Sequence, residues 1–116
     1  MTLIYAYVKE GYSAEQIRSL VANLKNAANE GLNIPECCSM VAIKELDKGE
    51  YSDNLGVMLL TYTEKGQGFD MKKRFAKMVN EGVVSALDEP GEVKLIIKEQ
   101  ANDMSALNGL LNCNRK

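Results

Sequence analysis

A single pattern written twice restricts what this 116-residue chain can fold into. Adding 55 to the residue number carries Tyr7 to Tyr62, Gly11 to Gly66, Leu20 to Phe75, Leu24 to Val79, Ala28 to Val83, Leu32 to Leu87 and Pro35 to Pro90, in register and without a gap. One deleted residue later, Ile43-Lys44-Glu45 reappears as Ile97-Lys98-Glu99. Each copy reads as strand, helix, strand, the signature of a duplicated supersecondary unit. The expected layout is one domain over residues 1–116, with repeat one at about 2–46, repeat two at about 57–99 and a C-terminal hairpin at about 101–113.

Thr2 to Lys9, TLIYAYVK, is β-branched, aromatic and apolar with almost no polar interruption, which predicts a strand covered on both faces. After a turn at Glu10-Gly11-Tyr12, Ser13 to Gln16 make a capping box that satisfies backbone N–H groups at a helix start. Ile17, Leu20, Val21, Leu24, Ala27, Ala28 and Leu32 then hold one apolar stripe over about five turns, which Pro35 ends. Cys38 to Leu46 is the second predicted strand. Repeat two gives a strand at Val57–Thr63, a glycine turn at Lys65–Gly68, a helix at Phe69–Leu87 and a strand at Glu92–Glu99.

A helix of about 20 residues between two strands is a crossover, so each pair of strands is predicted to be parallel with a right-handed connection. The fold class is therefore α+β, a β-α-β-β-α-β chain with a four-stranded mixed sheet and both helices on one face. Consecutive apolar residues such as Leu3-Ile4-Tyr5-Ala6 or Leu95-Ile96-Ile97 cannot all face the helices, so the second sheet face is also oily. A second copy of the chain is the expected cover. In the tail, Met104, Ala106, Leu107, Leu110 and Leu111 flank Asn108-Gly109, a strong hairpin signal. That hairpin is expected to dock on its own sheet edge or on a neighbour's.

Composition excludes several kinds of chemistry. There is no histidine, so Ser/His and Cys/His nucleophiles and histidine-containing zinc sites are ruled out, leaving carboxylates, amines, phenols and thiols to move protons. Lys and Arg total 14 against 16 acids, a net charge of -2 with no block of like charges, which argues against a nucleic-acid partner. No run approaches the ~18 apolar residues of a membrane span, and the start is unlike a signal peptide, so a cytoplasmic protein is expected. Three cysteines argue against a disulfide framework. Cys37 and Cys38 enter an apparent strand and read as structural thiols, one inward and one outward. A metal or redox role would want CxxC spacing or further ligands, so neither metal nor cofactor is expected.

Thr2 to Tyr51, with EGYSAEQ after strand one and IKELDKGEY after strand two, resembles the 4-oxalocrotonate tautomerase (4-OT) unit. The duplicated layout is similar to the fused members of the tautomerase superfamily, such as malonate semialdehyde decarboxylase and cis-3-chloroacrylic acid dehalogenase. The NGLL turn of Asn108 to Leu111 also resembles the ending of such chains. The resemblance implies a trimer with its sheets turned inward, and chemistry on a small oxo compound. It further implies an amino-terminal proline whose amine, in an apolar pocket, shuttles a proton near neutrality. Here Thr2 stands at that position, and the two prolines are Pro35 and Pro90. Tyr12 and Met40 stand where the family's substrate-holding arginines would be. Tyr51 is the counterpart of the pocket-closing aromatic.

The candidate catalytic residue is accordingly Thr2, through its α-amine once Met1 is removed, since threonine is small enough for that processing. Candidate substrate-binding residues are Tyr12, Met40, Tyr51 and two cations, Lys65 and Lys94. The last is the second unit's counterpart of Met40. Losing two arginines removes the bidentate grip on carboxylates and favours a neutral or aromatic ligand. Lys65-Gly66-Gln67-Gly68 precedes a helix but lacks the remaining elements of a nucleotide-binding loop. Glu45 and Glu99 recur because the unit is duplicated. Three readings remain open: a tautomerase-like isomerase or lyase with weak or lost proline-based activity, a non-catalytic homotrimer or small-ligand-binding protein, and a ferredoxin-like sensing module built from the same element order.

Overall fold

The computed structural model describes residues 1–114. Strands β1 (Thr2–Lys9), β2 (Ser39–Leu46), β3 (Val57–Glu64) and β4 (Val93–Gln100) form one sheet in the order β2-β1-β3-β4. Each unit's own strands pair in parallel, β1 with β2 and β3 with β4, and the units join through antiparallel β1–β3 pairing in which Leu3 faces Tyr62 and Tyr7 faces Met58. Direct parallel pairing of β1 with β2 excludes the ferredoxin-like arrangement. A hairpin, β5 (Ala106–Leu107) and β6 (Leu110–Leu111), follows the sheet.

Helices α1 (Ala14–Asn26) and α2 (Phe69–Leu87) cover one face. The capping box forms as expected: the Gln16 N–H donates to Ser13 Oγ at 3.1 Å and the Ser13 N–H to Gln16 Oε1 at 2.9 Å. The four apolar helix positions shared by the repeats, Leu20/Phe75, Leu24/Val79, Ala28/Val83 and Leu32/Leu87, are all buried. They meet Thr2, Ile4, Ala6 and Val8 of β1 and Val57, Leu59, Thr61 and Thr63 of β3, the alternating inward residues of the two central strands. The predicted stripe continues past α1 as a π-helical turn at Ala27–Gly31. A side chain at Gly31 would place its Cβ 3.0 Å from the Phe75 Cα, so glycine lets the two helices approach there. Asn23 Nδ2 donates to the Gly82 carbonyl at 2.9 Å and fixes the same pair.

The other sheet face carries Leu3, Tyr5 and Tyr7 of β1, Met40 of β2, Met58, Leu60 and Tyr62 of β3, and Ile96 of β4, by the two-residue alternation of the strands. Tyr5 is 38% and Ile96 52% exposed in the single chain. The hairpin turns on Asn108 (φ 54) and Gly109 (φ 85), the two left-handed residues its sequence predicts. It does not add to the edge of its own sheet. Asn112 instead ties it to Ser105, with its N–H on the carbonyl at 2.8 Å and its Nδ2 on Oγ at 2.6 Å. Leu107, Leu110 and Leu111 are left exposed. Among the described residues no helix is long and apolar enough to cross a membrane.

Two measurements probe this packing. Thr61 Oγ1 is buried without a hydrogen-bond partner among the described residues, and an unpaired buried hydroxyl costs about 1–3 kcal/mol. Thr61→Val, of the same shape, is expected to raise unfolding stability by about 1 kcal/mol in urea melts. At the α2 start, Lys72 Nζ lies 2.7 Å from Glu99 Oε1 and holds that carboxyl below its ordinary value of 4.5, first by hydrogen bonding and then by charge. A carboxyl lowered in the folded state stabilises above the unfolded pKa, and the contribution disappears as pH falls through the lowered value. The Tm deficit of Lys72→Met should therefore be present at pH 7 and vanish in acid.

Candidate functional site at the amino terminus

The pairing pattern sorts the sequence-predicted residues to two ends of the sheet. At one end lie the starts of β1 and β2, where Thr2 pairs with Ser39 and Leu3 with Met40, and the ends of β3 and β4, where Glu64 pairs with Gln100. Thr2, Met40 and Lys65 belong here. Tyr12, Tyr51 and Lys94 belong to the opposite end, where β1 finishes and β4 begins. Strand β1 spans roughly 25 Å, so the two groups cannot share one small ligand within a chain.

The end holding Thr2 contains a cavity of about 350 Å³ lined by Met1, Cys37, Cys38, Met40, Glu64, Leu107 and Asn112. That volume falls in the range of about 300–1,000 Å³ typical of small-molecule sites. The α-ammonium of Met1 donates to Glu64 Oε1 at 2.8 Å. Thr2 itself points away from the cavity: its side chain is fully buried, and its hydroxyl lies 2.8 Å from the Thr63 hydroxyl. Met40, 63% exposed, is the predicted substrate-binding residue that lines the cavity. Lys65 follows Glu64 at the same end; its N–H donates to the Gln100 carbonyl at 3.1 Å and its side chain is exposed. A wider hollow of about 420 Å³, lined by Leu3, Tyr5, Tyr7, Leu60, Tyr62 and Gln100, lies along the oily sheet face. It is an open dish whose titratable groups, among the described residues, are phenols, whereas the smaller cavity gathers an amine, a carboxylate and two thiols.

Cys37 and Cys38 depart from expectation. Pro35 accepts the Cys38 N–H at 2.9 Å and closes a short 3₁₀ turn over Glu36–Cys38, so neither cysteine enters the strand and both are exposed rather than one being inward. Their sulfurs lie 3.1 Å apart. The turn is held from below by Lys25, whose ammonium donates to the Glu36 carbonyl at 2.9 Å, the Ser39 carbonyl at 2.8 Å and Ser39 Oγ at 3.2 Å. Ser39 Oγ in turn donates to Asn29 Oδ1 at 2.8 Å.

At the far end, Tyr12 packs against the core, and burial pushes its phenol above the ordinary value, keeping it a hydrogen-bond donor rather than a base. Tyr51 lies under the Lys9 ammonium, 5.5 Å from ring centroid to nitrogen. Lys94 Nζ donates to the carbonyls of Asn54 at 2.8 Å and Leu55 at 3.0 Å and pairs with Glu92 at 3.1 Å, so it secures the loop between the repeats. The amides of Gly66 and Gln67 are turned to the Glu99 carboxylate, so an internal anion occupies the glycine turn. Glu45 and Glu99 lie on opposite edge strands and are not a catalytic pair.

Sequence reasoning missed Met1, Glu64, the cysteine pair, Leu107 and Asn112 as cavity residues. Glu64 was within reach: once β3 is antiparallel to β1, the residue ending β3 must sit beside the residue preceding β1. The cysteines were obscured because a strand start and a 3₁₀ turn look alike in a run of small residues.

No family model and no curated protein matches the chain, but solved structures do. A structure of Pt0534 inactivated by 2-oxo-3-pentynoate is similar with a TM-score of 0.88 at 16% identity, covering 97% of this chain and 99% of that one. W0 fused 4-OT wild type, described as a symmetric trimer, is similar at 0.88 and 17%, covering 96% and 98%. FG41 malonate semialdehyde decarboxylase inhibited by 3-bromopropiolate is similar at 0.78 and 21%, covering 91% and 88%. At these identities the likeness establishes the fold.

Removing the ammonium that holds the cysteine turn should leave its carbonyl acceptors unpaired. Lys25→Met is expected to cost about 1–3 kcal/mol in unfolding stability and to speed amide exchange at Cys38 more than in α2, read by hydrogen exchange.

Proposed function

We propose, from the tautomerase fold in its duplicated form, that this chain is a homotrimer whose amino-terminal pocket takes a small neutral or aromatic oxo compound, and that proline-based isomerase activity has been lost. The observation that carries the reading is the Met1 ammonium, held on Glu64 at 2.8 Å inside the pocket. That nitrogen is engaged with a carboxylate rather than presented to a ligand. No proline supplies the amine, because Thr2 follows Met1.

Ligand class follows from the lining. Its described residues include an ammonium and a carboxylate paired with each other, two thiols, an amide and apolar side chains, with no arginine or lysine among them. An anionic oxo acid would find no bidentate arginine, and the one ammonium there is already paired with Glu64. A neutral or aromatic ligand needs neither and can use Met40 and Leu107 as apolar walls. Trimerisation is supported by the uncovered apolar sheet face and by the fused 4-OT structures described as trimers.

A second reading is favoured by one feature of the site: Met1 lines the cavity and Thr2 directly follows it. Removing Met1 would open space and bring a primary amine about 3.5 Å along the chain, where it could serve as base. The tests are light scattering for mass in solution, intact-mass measurement of the amino terminus, and keto–enol exchange of a neutral aromatic oxo compound, phenylacetaldehyde, by wild type and Thr2→Pro. The proposal expects a trimer, with catalysis appearing only in the processed proline variant. A dimer, or wild-type catalysis equal to the variant's, overturns it. Catalysis by wild type whose mass lacks methionine establishes the second reading instead.

A further inference from the structure

Four residues lining the amino-terminal cavity carry sulfur: Met1, Cys37, Cys38 and Met40. The whole chain has three cysteines and six methionines, so the cavity concentrates its soft donors at one place. We propose that this cavity binds monovalent copper, with the Cys37 and Cys38 thiolates as principal ligands and the Met40 thioether as the third. The proposal is independent of the isomerase reading, although the ion and an oxo compound would compete for the same space.

The donor set selects the ion. Thiolate with thioether suits Cu(I), whereas harder divalent ions want carboxylate, carbonyl or imidazole. The chain has no imidazole. Among the described residues no group of three His, Cys, Asp or Glu side chains is placed to hold a metal, so the usual zinc sets are not formed and a third donor beside the two cysteines has to be a thioether. The further ligands that the cysteine spacing alone lacks are methionines brought in by the sheet, Met40 at the start of β2 and Met1 just before its neighbour β1.

Geometry and charge agree with this assignment. Three sulfurs around an ion at metal–sulfur distances near 2.3 Å stand about 4.0 Å apart. The cysteine sulfurs lie 3.1 Å apart, so binding asks them to separate by roughly 1 Å, a side-chain rotation at two exposed positions. Lys25 holds the backbone of the turn while they move. On binding, each thiol releases one proton and forms one Cu–S bond, copper stays monovalent, and the complex carries one net negative charge. The Met1–Glu64 ion pair in the same cavity is neutral as a pair and adds no further anionic charge beside the complex.

The test is an anaerobic titration of the reduced full-length chain with Cu(I) in competition with bicinchoninate. One Cu(I) per chain is expected. The Cys37→Ser/Cys38→Ser variant should bind at least a hundredfold more weakly and Met40→Leu at least tenfold, while Cys113→Ser should match wild type. Circular dichroism and light scattering on each variant separate lost ligation from lost folding. If folding fails, copper protection of Cys37 and Cys38 from iodoacetamide in the wild type, mapped by mass spectrometry, takes its place. No stoichiometric binding, binding that survives loss of both cysteines, or tighter retention of Zn(II) than of Cu(I) overturns the proposal.

Discussion

Antiparallel pairing of β1 with β3 is the interaction on which the rest of the structure depends. Each β-α-β unit alone has two parallel strands and one helix, too little to enclose a core. Joining the units through their first strands puts four fully buried residues of each central strand under both helices. Because the paired strands run in opposite directions, the crossover helices do too, and they meet closely at Gly31 and Phe75 and again at Asn23 and Gly82. The same pairing places the end of β3 beside the start of β1. The Met1–Glu64 ion pair, 63 residues apart in sequence, is a direct consequence of that register.

Most of the fold was legible because its determinants are local or periodic. The bounds of β1 and α2, the Ser13–Gln16 cap and the Asn108-Gly109 turn all follow from residue type and spacing, and the structure realises each. The site was less legible, for a physical reason. Alternation along a strand tells which face a residue occupies, but only pairing tells which residues share an end. Tyr12, Tyr51 and Lys94 read as companions of Thr2 by resemblance, yet the sheet sets them at the far end of β1. Lys65 and Met40 do share the end with Thr2, and only Met40 lines the cavity. The hairpin's sequence fixed its turn but not its berth, because its apolar side chains find no sheet edge within the chain.

Duplication also sets two related positions in different surroundings. The position equivalent to Thr2 is Val57, and there the nitrogen is a peptide N–H that donates to the Glu92 carbonyl at 2.8 Å. The residue before it, Gly56, has φ 58, and any Cβ there would overlap Glu92, so the backbone is pressed against the start of β4. Lys94 completes the exchange of roles. Its counterpart Met40 lines a cavity, whereas Lys94 is spent on the Asn54 and Leu55 carbonyls and on Glu92. What the first unit leaves as a pocket, the second closes with linker. The electrostatics follow: the fold sets the Met1 ammonium at the end of the sheet where Glu64 accepts from it.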